Sequence, residues 1–116
     1  MKTFKDIIAW QKGYQLALKI YKYTENFPSH ERFGLRSQIR EASVSVISNI
    51  AEGHKRKGAK DRLRFYNLSE SSLEEVKCQS MLAFDLGYLR TDQYEAICEL
   101  ENETGRILNG WIRCQS

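Results

Sequence analysis

Apolar residues recur at three- and four-residue intervals through nearly the whole chain, in four segments, and no segment alternates with the period of two that a half-buried strand requires. This pattern restricts the fold to helices packed on helices. The first segment runs from about Asp6 to Asn26 and carries Ile7, Trp10, Tyr14, Ala17 and Tyr21. Phe27-Pro28 ends it, because proline disfavours helical geometry at the residue before it. A short SHERFG loop precedes the second segment, where Leu35, Ile39, Ala42, Val46 and Ile50 repeat up to Gly53, a stop signal for a helix.

The third segment carries Phe65, Ser69, Ser72, Val76, Ala83 and Gly87, with Asp61 as a candidate N-cap and Gly87 near its end. Its seam of small residues allows a neighbouring helix to approach closely. The fourth follows the turn LRTD, with Thr91 or Asp92 as N-cap, the latter forming a capping box with Glu95. Tyr94, Ile97, Leu100, Thr104, Leu108 and Trp111 mark its stripe. A chain of 116 residues gives one domain, residues 1–116. Short connections then predict an all-α, up-down-up-down antiparallel four-helix bundle.

The apolar arcs are wider than one bundle face needs, which is about 100°. In the second helix Val44, Ile47 and Ala51 lie beside the main stripe, and in the first Ala9, Leu16 and Ile20 extend it. This surplus predicts a homo-oligomer. Polar residues fall inside the arcs: Arg40 between Val44 and Ile47, Glu75 and Gln79 among Leu68, Leu82 and Leu86, and Glu101 between Ile97 and Leu108. One reading makes them a buried polar set at an oligomer interface, with Arg40 pairing Glu75 or Glu101 within or between subunits. The other leaves them half in water at the rim of the stripes.

Cysteines 78, 98 and 114 are odd in number and lack C-x-x-C spacing, so neither a disulfide framework nor a metal site is indicated. Free thiols suit a reducing cytoplasm. No apolar run approaches the roughly 20 residues of a membrane span, and the N-terminus lacks the apolar core of a signal peptide. The expectation is a soluble, cytoplasmic protein without cofactor.

Catalytic constellations are not found. His30 and His54 belong to no ligand spacing, and the nearest arginine upstream of His54 is Arg40, too distant for the Arg-then-His pattern of small helical nucleases. No phosphate-binding glycine motif occurs. Glu41, Ser45, Ser48 and Glu52 share a helical face, yet the two carboxylates are about three turns apart, too far for concerted acid and base work. The chain reads as noncatalytic.

Charge is more informative. Residues 1–64 hold 14 Lys/Arg against 6 Asp/Glu and residues 65–116 hold 4 against 9, so the halves are +8 and −5. That asymmetry suits a polyanionic partner for the basic half, or attraction between the halves. Lys55, Arg56, Lys57, Lys60, Arg62 and Arg64 crowd the second interhelix connection, and Lys5, Lys12 and Lys19 recur every seven residues, with Lys22 nearby. These ten residues are the candidate nucleic-acid-binding set. With no aromatic residue between Lys55 and Arg64, backbone contact is expected over base stacking, and hence weak sequence preference. The alternative is a protein-interaction scaffold whose basic patch docks an acidic protein surface.

The runs FKDIIAWQKGYQLALKIYKYTENFP, ERFGLRSQIREASVSVISNIAEG and SLEEVKCQSMLAFDLGYL resemble the bacterial four-helix-bundle proteins encoded in intervening sequences of large-subunit rRNA genes. The resemblance extends from Phe4 to about Trp111. That family is similar to the accessory variability determinants of diversity-generating retroelements, which the segment Gly105–Ile112 also resembles. The resemblance implies a homopentamer that binds RNA or an RNA/DNA hybrid and a reverse transcriptase. Ile47, Arg36 and Glu41 depart from the family pattern, which has proline, threonine and a basic residue there. Ile47 removes a kink, and the other two change charge on any surface carried over from the family.

Overall fold

The computed structural model describes residues 2–115 and contains four α-helices: α1 (Ile8–Thr24), α2 (Leu35–Lys55), α3 (Ala59–Asp85) and α4 (Thr91–Gln115). Single 3-10 turns precede α1 at Phe4–Asp6 and α2 at Ser29–Glu31, and no strand occurs among the described residues. At 1.5 Å per residue the 27 residues of α3 span about 40 Å, close to the 43 Å long axis of the molecule.

Cross-helix contacts run in opposite residue order at every seam. Val46 and Gly53 of α2 meet Ser69 and Tyr66 of α3, Ser80 and Phe84 of α3 meet Glu101 and Tyr94 of α4, and Gly13 and Thr24 of α1 meet Ile47 and Arg40 of α2. Each helix touches two neighbours, α1 and α3 both lying against α2 and α4. The connectivity is therefore up-down-up-down and antiparallel. No helix among the described residues is long and apolar enough to cross a membrane.

The core joins Ile7, Leu16 and Ile20 to Ile39, Val46 and Ile50, and these to Tyr66, Leu73, Val76, Ile97 and Leu108. In α1 the buried face is rotated from the expected stripe. Ala9, Leu16, Ala17 and Ile20 point inward, whereas Tyr14 and Tyr21 are each 43% exposed. Trp10 stacks on Tyr14 at 4.8 Å and meets Phe4 edge-on at 4.9 Å, so the aromatics form a ladder along the rim while slimmer side chains fill the interior.

Small residues on α3 do bring α2 close. Ser69 Oγ donates to the Val46 carbonyl at 2.6 Å, and the Ser45 and Ser72 hydroxyls lie 2.7 Å apart. Gly53 is not a helix stop: α2 continues to Lys55, and a Cβ on Gly53 would lie 2.6 Å from the Tyr66 ring. Gly87 does end α3, with φ of 81°, its own N–H bonded to the Phe84 carbonyl and that of Tyr88 to the Ala83 carbonyl. The N-caps also differ from expectation. Gly58 caps α3 and Asp61 lies in its first turn, while the Arg90 carbonyl receives the first bond of α4 and Gln93 Oε1 accepts from the Arg90 N–H at 2.9 Å.

Candidate nucleic-acid interface

Antiparallel packing places the end of α2, the 56–58 connection, the start of α3 and the N-terminal turn at one pole of the bundle. The N-terminal turn lies beside the last turn of α2, where Lys2, Thr3, Phe4, His54 and Lys55 line a cleft of about 390 Å³. Lys5 thereby joins the connection's cations. This pole gathers Lys2, Lys5, Lys55, Arg56, Lys57, Lys60, Arg62 and Arg64 against Asp6, Glu52 and Asp61.

The arginines of this group hold the pole together. Arg62 donates to the carbonyls of Lys57 at 2.8 Å and Arg56 at 3.4 Å, fixing the turn between α2 and α3. Arg56 pairs with Glu52 at 2.6 Å and approaches Asp61 at 3.7 Å, and Arg64 pairs with the same Asp61 at 3.2 Å. Both guanidinium groups lie over the Phe65 ring, at 4.6 and 4.4 Å from its centroid. Phe65 was expected on the helix seam, but that place belongs to Tyr66. The spacing Tyr66, Ser69, Leu73, Val76, Ser80, Ala83 carries the signal. The aromatic residue missing from the Lys55–Arg64 run is thus supplied by its neighbour.

Lys55, Lys57 and Lys60 are exposed and make no ion pair among the described residues. They surround the start of α3, whose N-cap Gly58 puts no side chain over the first turn. Unpaired backbone N–H groups and the positive end of the helix dipole add to the lysine charge there. The Asp6 carboxylate is occupied by the N–H groups of Thr3 and Lys2, which lower its pKa, so this acid is engaged by its own turn.

The α1 ridge behaves differently. Lys12 pairs with Glu103 of α4 at 2.9 Å, and Lys19 Nζ lies 3.4 Å from the Tyr23 hydroxyl and over its ring. Lys19 and Lys22 line an open groove of about 550 Å³ between α1 and α4, opposite Glu99 and Glu103. Part of the charge asymmetry between the halves is therefore satisfied inside the bundle, along this seam.

A family model described as 23S rRNA-intervening sequence protein matches residues 5–110, spanning all four helices. The chain belongs to this family. Its fold is similar to the crystal structure of a protein of unknown function from the S23 ribosomal protein family of Bacteroides thetaiotaomicron. The TM-score is 0.84 and the identity 23%, with 94% of this chain and 98% of the other covered. No curated protein matches the chain.

The expected buried polar set is dispersed in the fold. Arg40 pairs with neither Glu75 nor Glu101. Its guanidinium bonds to Thr24 Oγ1 at 2.8 Å, the Tyr21 carbonyl at 3.1 Å and Glu25 at 3.2 Å, and stacks on the Tyr21 ring. The helix preceding it in sequence ends beside it, leaving carbonyls to be satisfied, and this local demand outcompetes the distant acids. Glu75 is exposed rather than buried. Gln79 is half-buried, its Oε1 enclosed without a partner among the described residues, beside Glu75 in a shallow groove along the α2–α3 flank. Glu101 alone of the four is buried, bonded to Ser80 Oγ at 2.8 Å. No group of three or more potential metal-ligating side chains occurs among the described residues.

Proposed function

We propose that this protein is a noncatalytic accessory factor that binds the phosphate backbone of RNA, or of an RNA/DNA hybrid, through the pole formed by Lys5 and residues 55–64. The carrying observation is the division of the basic half. Arginines build and brace the pole, Lys55, Lys57 and Lys60 remain directed to solvent around the α3 N-terminus, and Lys12 is neutralised on Glu103. Backbone recognition by such a surface is tolerant of sequence and steeply dependent on salt. Family membership supports an RNA partner, since the family takes its name from an rRNA context.

The working form on this reading is a homo-oligomer, and the family resemblance implies a pentamer. Exposed apolar side chains on separate helices support assembly: Tyr14, Leu18, Tyr21 and Val44 on α1 and α2, and Leu68, Leu82 and Leu86 on α3. Distinct surfaces meeting head to tail build a ring when the rotation between neighbours closes and a filament when it does not. Light scattering would give five times the 13.6 kDa of one chain for the pentamer and one time for a monomer.

Filter binding to a single-stranded RNA across a salt series tests the function. Affinity falling steeply between low and moderate salt supports it, and a flat response removes it. Material purified without nuclease separates the scaffold alternative: a 260/280 nm absorbance ratio that drops after a high-salt wash indicates bound nucleic acid. An unchanged, protein-like ratio favours an acidic protein partner. Neighbouring genes distinguish the RNA source, a reverse transcriptase with repeat pairs indicating a retroelement transcript and an enclosing rRNA gene indicating rRNA.

A further inference from the structure

Glu101 is the one buried carboxylate among the described residues, 3% exposed, and it faces α3 from the middle of α4. Its hydrogen-bond partner is Ser80 Oγ at 2.8 Å, and the same hydroxyl lies 3.1 Å from the Lys77 carbonyl. A serine hydroxyl has a single hydrogen. With Glu101 ionised, that hydrogen goes to the carboxylate, a buried charge then held by one hydroxyl, while the Lys77 carbonyl keeps its helical bond from the Met81 N–H. With Glu101 protonated, the acid O–H donates to Ser80 Oγ and Ser80 donates to Lys77, so both contacts carry a hydrogen.

The charged neighbours leave the anion poorly compensated. On α3, Lys77 pairs with Glu74 at 3.2 Å, which divides its charge. On α1, Lys12 is held by Glu103 and Lys19 by Tyr23, and α2 does not touch α4. On α4 itself Cys98 and Tyr94 are neutral acids coupled to it, and Arg106 lies further along the seam, in the groove it shares with Glu74 and Lys77. We propose that Glu101, Ser80 and the Lys77 carbonyl form a proton-operated latch, closed when Glu101 is a neutral acid and loosening the α3–α4 seam when it ionises.

Burial pushes the Glu101 carboxyl up from its ordinary 4.5 to about 7, against the opposing pull of the Ser80 bond and the Lys77 charge, with Glu74 adding to the rise. A group whose pKa is raised on folding stabilises the fold fully below the unfolded value and loses that contribution as pH rises through the folded one. The latch is therefore closed below a pH of about 7 and opens as pH rises through it.

Carbon-13 NMR of the glutamate carboxyls in the full chain tests this without a variant. The resonance that disappears in Glu101→Gln should titrate with a midpoint near 7; a midpoint near 4.5 overturns the proposal. Amide hydrogen exchange gives the mechanical readout. After correction for intrinsic rates, opening of the α3–α4 seam should be about tenfold more frequent at pH 8 than at pH 6 in the native chain and unchanged in Glu101→Gln. Equal pH response in the two proteins would show that the latch is elsewhere.

Discussion

Arg40 of α2 closes the end of α1: its Nε lies 2.8 Å from Thr24 Oγ1, while Thr24 donates its own hydroxyl to the Ile20 carbonyl at 2.7 Å. One guanidinium thus serves a buried hydroxyl, the Tyr21 carbonyl and the Glu25 carboxylate. Arg40→Met removes the donor to Thr24 Oγ1 and leaves the Tyr21 carbonyl only the shared 3.3 Å contact from the Thr24 hydroxyl. It should cost about 2 kcal/mol of stability in urea unfolding, with Arg40→Lys recovering less than half, because an ammonium cannot reproduce the fork.

Glycines divide into those that matter for packing and those that do not. Gly53→Ala puts a methyl 2.6 Å from Tyr66 at the closest helix seam and should destabilise by about 2 kcal/mol. Gly110→Ala, within α4 and facing open space, should stabilise by up to about 1 kcal/mol. Urea midpoints of the two variants should move in opposite directions.

Acid unfolding should begin at Glu31. Its carboxylate accepts from the Leu35 N–H at 3.0 Å and the Tyr88 hydroxyl at 2.9 Å, and these bonds, the backbone one first, hold its pKa below the ordinary 4.5. A lowered pKa gives stability that is present above 4.5 and lost as pH falls through the folded value. Glu31→Gln should flatten the acid limb of a plot of thermal midpoint against pH. Glu101 acts in the opposite sense, so these two carboxyls place the optimum on the mildly acidic side, and the Glu31 and Glu101 variants should flatten opposite limbs.

Periodicity made the four helices and their order legible, because the stripes through Ile39, Val46, Ile50, Val76, Ile97 and Leu108 are long and regular. It located the α1 face less well: Trp10, Tyr14 and Tyr21 repeat at helical spacing too, and hydrophobicity alone does not distinguish a rim ladder from a core. Gly53 looked like a terminator since its partner, Tyr66, is distant enough in sequence to be invisible. The partners of Arg40 are hidden for the same reason. They depend on where α1 ends in space, whereas wheel position points only to Glu75 and Glu101. The basic pole was legible as composition, but the separation of bracing arginines from solvent-facing lysines follows only from the turn that Arg62 holds.

The claim that this pole grips a polyanion predicts a specific salt slope. The logarithm of the RNA association constant should be plotted against that of salt for the native chain, for Lys55→Gln with Lys57→Gln and Lys60→Gln, and for Lys12→Gln with Lys19→Gln and Lys22→Gln. The pole triple should flatten the slope by about 2, at roughly 0.7 per phosphate on a single strand, and the α1 triple should change it by less than about 1. Equal flattening by both triples, or a native slope near zero, would contradict the account.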